Sequence, residues 1–143
     1  MLKVLFCVDG SASATRATRK LIEALDWYQE RPKVDLLAVH RPVPRFPNMS
    51  VVVSEKMIED YYADAWKAML APSRKALDAA GVAYTVHTLV GEIAESIVEQ
   101  AKRSGSNMIY MGTRGMTALS NMVLGSVTTR VLHLTHIPVV LIH

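Results

Sequence analysis

Short apolar runs alternate with longer segments of helical periodicity from one end of this chain to the other. Residues 2–8 are almost entirely apolar, which is typical of a strand buried on both faces. Residues 138–142 form a similar run at the other end. Such an alternation predicts a parallel sheet with right-handed crossovers and helices on both faces. At 143 residues, the chain has the size of one α/β domain spanning 1–143.

The apolar pattern also gives approximate bounds for the elements. The predicted strands are residues 2–8, 34–40, 82–86, 108–111 and 138–142. Helices are predicted between them, the second from about Ser54 to Ala80 and the last from about Gly125. Pro72 lies inside the second helix, where a proline removes one hydrogen bond and crowds the preceding turn. We therefore expect the second helix to be kinked or broken there.

Charge and cysteine content exclude several classes of function. The chain has 16 basic and 13 acidic residues, mixed along its length, so a nucleic-acid partner is not expected. No apolar run reaches the roughly 18 residues of a membrane span, and no membrane partner is expected. Cys7 is the only cysteine, which rules out an internal disulfide and favours a cytoplasmic location. Within its strand, Cys7 is interpreted as a small buried hydrophobe.

Glycines cluster after the fourth predicted strand. Gly112-Thr113-Arg114-Gly115 follows that strand directly, and Gly125-Ser126 begins the last predicted helix. Glycines there let backbone N–H groups form a concave nest, and the start of a helix favours an anion. The chain lacks both the P-loop spacing with its lysine and the Gly-x-Gly-x-x-Gly of dinucleotide-binding proteins. The pattern predicts a phosphate site of another kind.

Several side chains near these glycines have more than one possible role. Asp9 follows the first strand and is either a turn residue or an acceptor for a ribose hydroxyl, an adenine amino group or a phosphate-bound magnesium ion. The hydroxyls of Ser126 and Thr128 are candidate phosphate donors, and Ser126 is also a candidate helix N-cap. Arg114 either reaches a phosphate or is an exposed loop residue.

The Gly-x2-Gly-x9-Gly-Ser spacing resembles the universal stress protein family, in its ATP-binding, UspA-like type. An opening strand that ends in Asp9-Gly10-Ser11 and a closing Pro138-Val139-Val140 extend this resemblance over essentially the whole chain. The resemblance implies an open five-stranded parallel sheet, doubly wound, with strand order 3-2-1-4-5, the adenine nucleotide alpha hydrolase-like fold. It also implies that the cofactor is ATP, ADP or AMP, with magnesium as a further candidate.

Carried over position by position, the resemblance assigns nucleotide-binding residues to three parts of the chain. Adenine is expected beside Val39 and the residues Cys7, Val8 and Asp9. The ribose is expected beside Met111 and Gly112. The phosphates are expected among Gly115, Gly125, Ser126, Val127 and Thr128, with Arg114 as a further candidate.

The resemblance implies a regulatory, stress-response protein and a homodimer formed through strand 138–142. No catalytic residue is predicted, because neither a clear general base nor a P-loop lysine is present, and any ATP hydrolysis should be slow. Two alternatives are a slow ATP hydrolase and an interaction module with a vestigial pocket. The five histidines show no metal-site spacing, so no metal ligand is expected from the protein beyond Asp9.

Two features of the chain depart from the family pattern. The loop at residues 41–49 has three prolines and carries Arg41 and Arg45, so it either acts as a lid, contacts phosphates or is a stiff surface loop. Asn107 opens the fourth strand where the family commonly has an aspartate. That position lies at the end of the strand away from the expected ligand crevice, so nucleotide binding should not be affected.

Overall fold

The computed structural model describes residues 1–47, 53–113 and 124–143. Its elements in chain order are β1 (Lys3–Cys7), α1 (Ala12–Leu25), β2 (Lys33–His40), α2 (Glu55–Ala79), β3 (Tyr84–Val90), α3 (Ile93–Ser104), β4 (Met108–Gly112), α4 (Ser126–Leu134) and β5 (Val139–Ile142). The five strands form one parallel sheet in the order β3-β2-β1-β4-β5. The predicted fold class and strand order are confirmed.

The central strand β1 divides the core into two layers. Successive side chains of a strand point to opposite faces, so Val4 and Phe6 pack on one side and Leu5 on the other. The Val4 side contains the buried faces of α1 and α2, and the Leu5 side contains those of α3 and α4. Helices therefore cover both faces, as the apolar run at residues 2–8 predicts.

The edge strand β3 differs from its prediction in length. It begins at Tyr84 and runs to Val90, whereas the alternating pattern predicts residues 82–86. Among the described residues β3 pairs only with β2, and most of its side chains are partly or fully exposed. Polar residues such as Thr85 and Thr88 therefore interrupt the apolar signal without ending the strand.

Pro72 does not break α2, which runs without interruption from Glu55 to Ala79. The predicted break is therefore wrong, and a kink at Pro72 stays a prediction. Packing against α1 explains the continuity, because Leu70, Ser73 and Leu77 are buried on the face of α2 that meets that helix. The hydroxyls of Ser73 and Thr18 form a buried hydrogen bond of 2.9 Å between the two helices. These contacts compensate for the donor that proline lacks, a loss of about 3 kcal/mol in an unsupported helix.

Candidate functional site

Three neighbouring strands end at the same edge of the sheet. Cys7 pairs with Leu37 of β2, and Phe6 pairs with Tyr110 of β4. The chain moves outward from β1 through β2 to β3 and then returns to the other side of β1 at β4. The carboxyl ends of β1 and β4 thus form the point where the strand order reverses, which is the usual ligand crevice of open α/β sheets.

The turn after β1 is fixed by two side chains that bind backbone. Asp9 accepts a 2.9 Å hydrogen bond at Oδ1 from the Ser11 amide. Ser11 in turn caps α1, because its Oγ accepts a 3.0 Å hydrogen bond from the Ala14 amide. Asp9 is therefore a turn residue through Oδ1, and its Oδ2 accepts no hydrogen bond from the described residues.

Cys7 and Val8 continue β1 toward this turn. The Val8 amide donates a 2.9 Å hydrogen bond to the Leu37 carbonyl, which extends the pairing with β2 beyond Cys7. Burial, together with the negative charge of Asp9, raises the pKa of the Cys7 thiol from 9.0 to about 12. The thiol is therefore protonated at neutral pH. Cys7 is only partly buried, whereas the sequence predicts a buried side chain.

Val39 and Met111 lie at the ends of β2 and β4, but their side chains point into the core. Val39 is only 1% exposed and Met111 is 5% exposed, and both belong to the layer beneath α3 and α4. Their side chains pack in the core beneath the edge of the sheet. Toward the crevice, the two residues therefore present mainly backbone groups.

The start of α4 is tied directly to the end of β4. The Gly125 amide donates a 2.6 Å hydrogen bond to the Thr113 carbonyl. The Thr128 hydroxyl donates a 3.1 Å hydrogen bond to the Gly112 carbonyl, and Thr128 is only 2% exposed. The Thr128 hydroxyl proton is thus used within the fold, where it positions the first turn of α4 against β4.

No side chain among the described residues caps the first turn of α4. Gly125 is the N-cap and Ser126 is the first helical residue, so the alternative that Ser126 caps the helix is wrong. The Gly125 carbonyl begins the helix by accepting hydrogen bonds from the amide and the hydroxyl of Thr129. The first turn contains no acidic residue. Within the described residues, the amides of this turn, which have no intrahelical partner, and the positive end of the helix dipole are therefore uncompensated.

Two of the predicted residues, Arg114 and Gly115, lie outside the described residues. The structure brings the others together in two groups along one edge of the sheet. The first group is Cys7, Val8, Asp9 and Val39, and the second is Met111, Gly112, Gly125, Ser126, Val127 and Thr128.

An aromatic cluster beside the end of β2 is missing from the sequence predictions. It consists of His40, Tyr61, Tyr62 and Trp66, and the stacked rings of Tyr62 and Trp66 have centroids 5.6 Å apart. The His40 ring meets both tyrosine rings edge-on at 5.5 Å. The i, i+4 spacing of Tyr62 and Trp66 on a helix was a usable signal.

This cluster holds the proline-rich loop onto α2. The Tyr62 hydroxyl accepts a 2.8 Å hydrogen bond from the Val43 amide. Arg45 binds both carboxylate oxygens of Glu55, at 2.8 and 3.1 Å. These contacts favour the stiff-loop alternative for residues 41–47 over a lid, whereas residues 48 and 49 lie outside the described residues.

Among the described helices, none is long and apolar enough to cross a membrane. Within the same residues, no three or more histidine, cysteine, aspartate or glutamate side chains gather to form a metal site.

The sequence was compared with known families and relatives. It matches the model of the universal stress protein family over residues 1–143. It is 32% identical over 137 residues to the universal stress protein Slr1230 of Synechocystis sp., which covers 96% of this chain and 41% of that protein. It is 27% identical over 141 residues to the universal stress protein MJ0531 of Methanocaldococcus jannaschii, covering 98% of this chain and 81% of that protein. The chain thus spans less than half the length of the Synechocystis relative.

Solved structures share the fold. The hypothetical protein MJ0577 superposes with a TM-score of 0.79 at 27% identity, covering 99% of this chain and 94% of that one. A universal stress protein in complex with cAMP has a TM-score of 0.67 at 20% identity, covering 99% and 96%. The universal stress protein of Archaeoglobus fulgidus in complex with dAMP has a TM-score of 0.65 at 23% identity, covering 100% and 98%.

Proposed function

The chain belongs to the universal stress protein family, and on that premise we propose that it binds an adenine nucleotide and acts as a stress-response regulator. The observation that carries this proposal is the first turn of α4, which no described side chain caps, at the reversal point of the sheet. Free amides and the positive end of a helix dipole attract a phosphate group without any basic side chain.

The adenosine part of the ligand is assigned to the ends of β1, β2 and β4. Val8 and Val39 are almost wholly buried, so the base is recognised mainly by backbone groups of these strands. Asp9 uses Oδ1 within its turn, which leaves Oδ2 for a ribose hydroxyl, the adenine amino group or a phosphate-bound magnesium ion. Two proteins of the same fold were crystallised with cAMP and dAMP, which supports a ligand that combines adenine with phosphate.

Two substitutions at Gly125 test the phosphate assignment with side chains of nearly equal shape. Gly125 has φ −70° and ψ 161°, a conformation open to any residue, and both aspartate and asparagine are good N-caps. Gly125→Asp places a carboxylate where the phosphates are proposed to bind, whereas Gly125→Asn is a neutral side chain of nearly the same shape.

Calorimetric titration with ATP, ADP and AMP should show that Gly125→Asp weakens nucleotide binding at least about tenfold more than Gly125→Asn does. The expected difference follows from one charge–charge repulsion beside a partly buried anion. Equal affinities for the two variants would refute the phosphate assignment. The absence of binding in the unmodified chain would favour the interaction module instead, and an ATP turnover well above about 1 per second would favour an enzyme.

We also propose that the homodimer forms through β5. Within the described residues, β5 pairs only with β4, and its side chains Val139, Val140 and Leu141 are partly exposed. An apolar strand with one free edge is a template for pairing with a second copy. Analytical ultracentrifugation at micromolar concentration should show a dimer, and a monomer would contradict this part of the proposal.

A further inference from the structure

An open recess of about 470 Å³ lies at the amino ends of β1, β2 and β3, away from the candidate nucleotide site. We call it the amino-end recess. The titratable side chains in its lining are those of Lys3, Asp35, His87 and Arg103. The first three come from adjacent strands, and Arg103 comes from the last turn of α3, which packs over them.

Asp35 is a buried carboxylate without a hydrogen bond from the described residues. Its side chain is only 7% exposed. Oδ2 lies 3.7 Å from the Lys3 Nζ and 3.5 Å from the His87 Nε2, both beyond ordinary hydrogen-bond distance. The His87 Nε2 is itself buried and has no partner among the described residues. Buried polar atoms are almost always paired, so the unpartnered His87 Nε2 beside a recess points to a missing group.

Lys3 is held in place by the start of β4 and the end of α3. Its amide donates a 2.8 Å hydrogen bond to the Asn107 Oδ1, and its Nζ donates a 3.1 Å hydrogen bond to the Ser104 carbonyl. The latter bond neutralises part of the negative end of the α3 dipole. The ammonium group keeps two further donors for a ligand.

The balance of charges selects the chemistry of that ligand. The recess is lined by the cationic side chains of Lys3 and Arg103, by the His87 imidazole and by one carboxylate, that of Asp35. Arg103 also binds the side-chain oxygen of Gln100. A cation would be repelled by Lys3 and Arg103. A fully deprotonated anion such as sulfate would be repelled by Asp35. An oxyanion that keeps a proton suits both, because its hydroxyl donates to the carboxylate and its other oxygens accept from the donors.

We propose that the amino-end recess is a binding site for hydrogen phosphate. The phosphate hydroxyl donates to Asp35, and the remaining oxygens accept from Lys3, His87 and Arg103. This site is independent of the nucleotide site proposed above, because the two lie at opposite ends of the strands.

The first test compares phosphate with sulfate on the unmodified full-length chain at neutral pH and matched ionic strength. The imidazole nitrogens of His87, assigned in a His87→Gln spectrum, are followed by long-range ¹H–¹⁵N NMR. We expect a saturable shift with sodium phosphate and none with sodium sulfate. A response to neither ion, or equal responses to both, would overturn the proposal. The Gly125→Asp variant should give the same His87 response, which separates this site from the nucleotide site.

Substitutions at Lys3 and Asp35 then test the roles of the ammonium group and the carboxylate. Lys3→Gln should weaken the phosphate response about tenfold, because a hydrogen bond to a charged group is lost. Lys20→Gln is the matched control, since Lys20 is an exposed lysine paired with Glu23 on α1, and it should have no effect. Asp35→Asn removes the repulsion and adds an amide donor, so sulfate should now bind. If circular dichroism shows that Asp35→Asn is unfolded, the test of the site rests on the comparison of Lys3→Gln with Lys20→Gln. Equal phosphate affinities in those two variants would refute the site.

Discussion

Gly10, in the turn between β1 and α1, allows the sharpest test of how this fold is packed. Its φ is +79°, in the left-handed region, and a Cβ added there would lie 3.1 Å from the Met69 Cα and 3.2 Å from the Ala68 carbonyl oxygen. Both contacts are with the backbone of α2, so no side-chain rotation can relieve them. Ala68 is also four residues before Pro72, so its carbonyl receives no helical hydrogen bond from that residue.

Two other glycines provide matched controls for the Gly10→Ala substitution. Gly81 and Gly105 have φ values of +65° and +66°, and an added Cβ would meet nothing within 4 Å at either position. All three alanine substitutions carry the left-handed penalty of about 1–2 kcal/mol, partly offset by the lower entropy of the unfolded chain. Only Gly10→Ala adds an overpacking cost, of about 1–3 kcal/mol.

Urea unfolding followed by circular dichroism measures the free energy of unfolding of the three variants. We expect Gly10→Ala to lose about 1–3 kcal/mol more than either control, with a melting temperature lower by about 2–4 °C for each kcal/mol. Trimming Met69 to alanine should not restore stability, because the obstructing atoms belong to the main chain. Losses that agree within about 0.5 kcal/mol across the three variants would refute the packing argument.

Two further predictions concern buried groups. The Thr18 hydroxyl bonds both the Ala14 carbonyl, at 2.8 Å, and the Ser73 hydroxyl, at 2.9 Å, so Thr18→Val should cost more than Ser73→Ala, because it leaves a buried serine hydroxyl unpaired. A double-mutant cycle by urea unfolding should give a coupling of about 1 kcal/mol, and a coupling of zero would mean that the hydrogen bond does not stabilise the fold. Burial raises the pKa of Cys7 from 9.0 to about 12, so at pH 8 iodoacetamide should alkylate the native chain about a thousandfold more slowly than the urea-unfolded chain. Because the unfolded thiol ionises first, this group should also lower stability as the pH rises from 9 toward 12, and a native alkylation rate within tenfold of the unfolded rate would contradict the raised pKa.

Sequence patterns predicted the layered architecture well because burial on both faces leaves continuous apolar runs. The runs at residues 2–8 and 34–40 correspond to β1 and β2 with small changes at their ends. Edge strands give a weaker signal, which is why β3 extends four residues beyond its prediction. The break expected at Pro72 is wrong for a different reason. Packing against α1 outweighs the low helix propensity of proline.

The candidate nucleotide site was only partly predictable. The glycines at 112 and 125 indicated the end of β4 and the start of α4, where the structure places them, because glycine reports a constraint on the backbone itself. The roles of individual side chains were harder to predict from the sequence. Whether Thr128 donates to a ligand or to the Gly112 carbonyl depends on where β4 ends relative to α4, and no residue pattern encodes that distance.

The sequence by itself determined the alternation of elements, the family and the position of a glycine-rich turn after the fourth strand. These properties follow from local periodicity and from residues with special backbone freedom. Only the tertiary structure decided which groups meet across the sheet. Lys3, Asp35 and His87 are far apart in the chain, and it is the parallel register of β1, β2 and β3 that gathers them beside one recess.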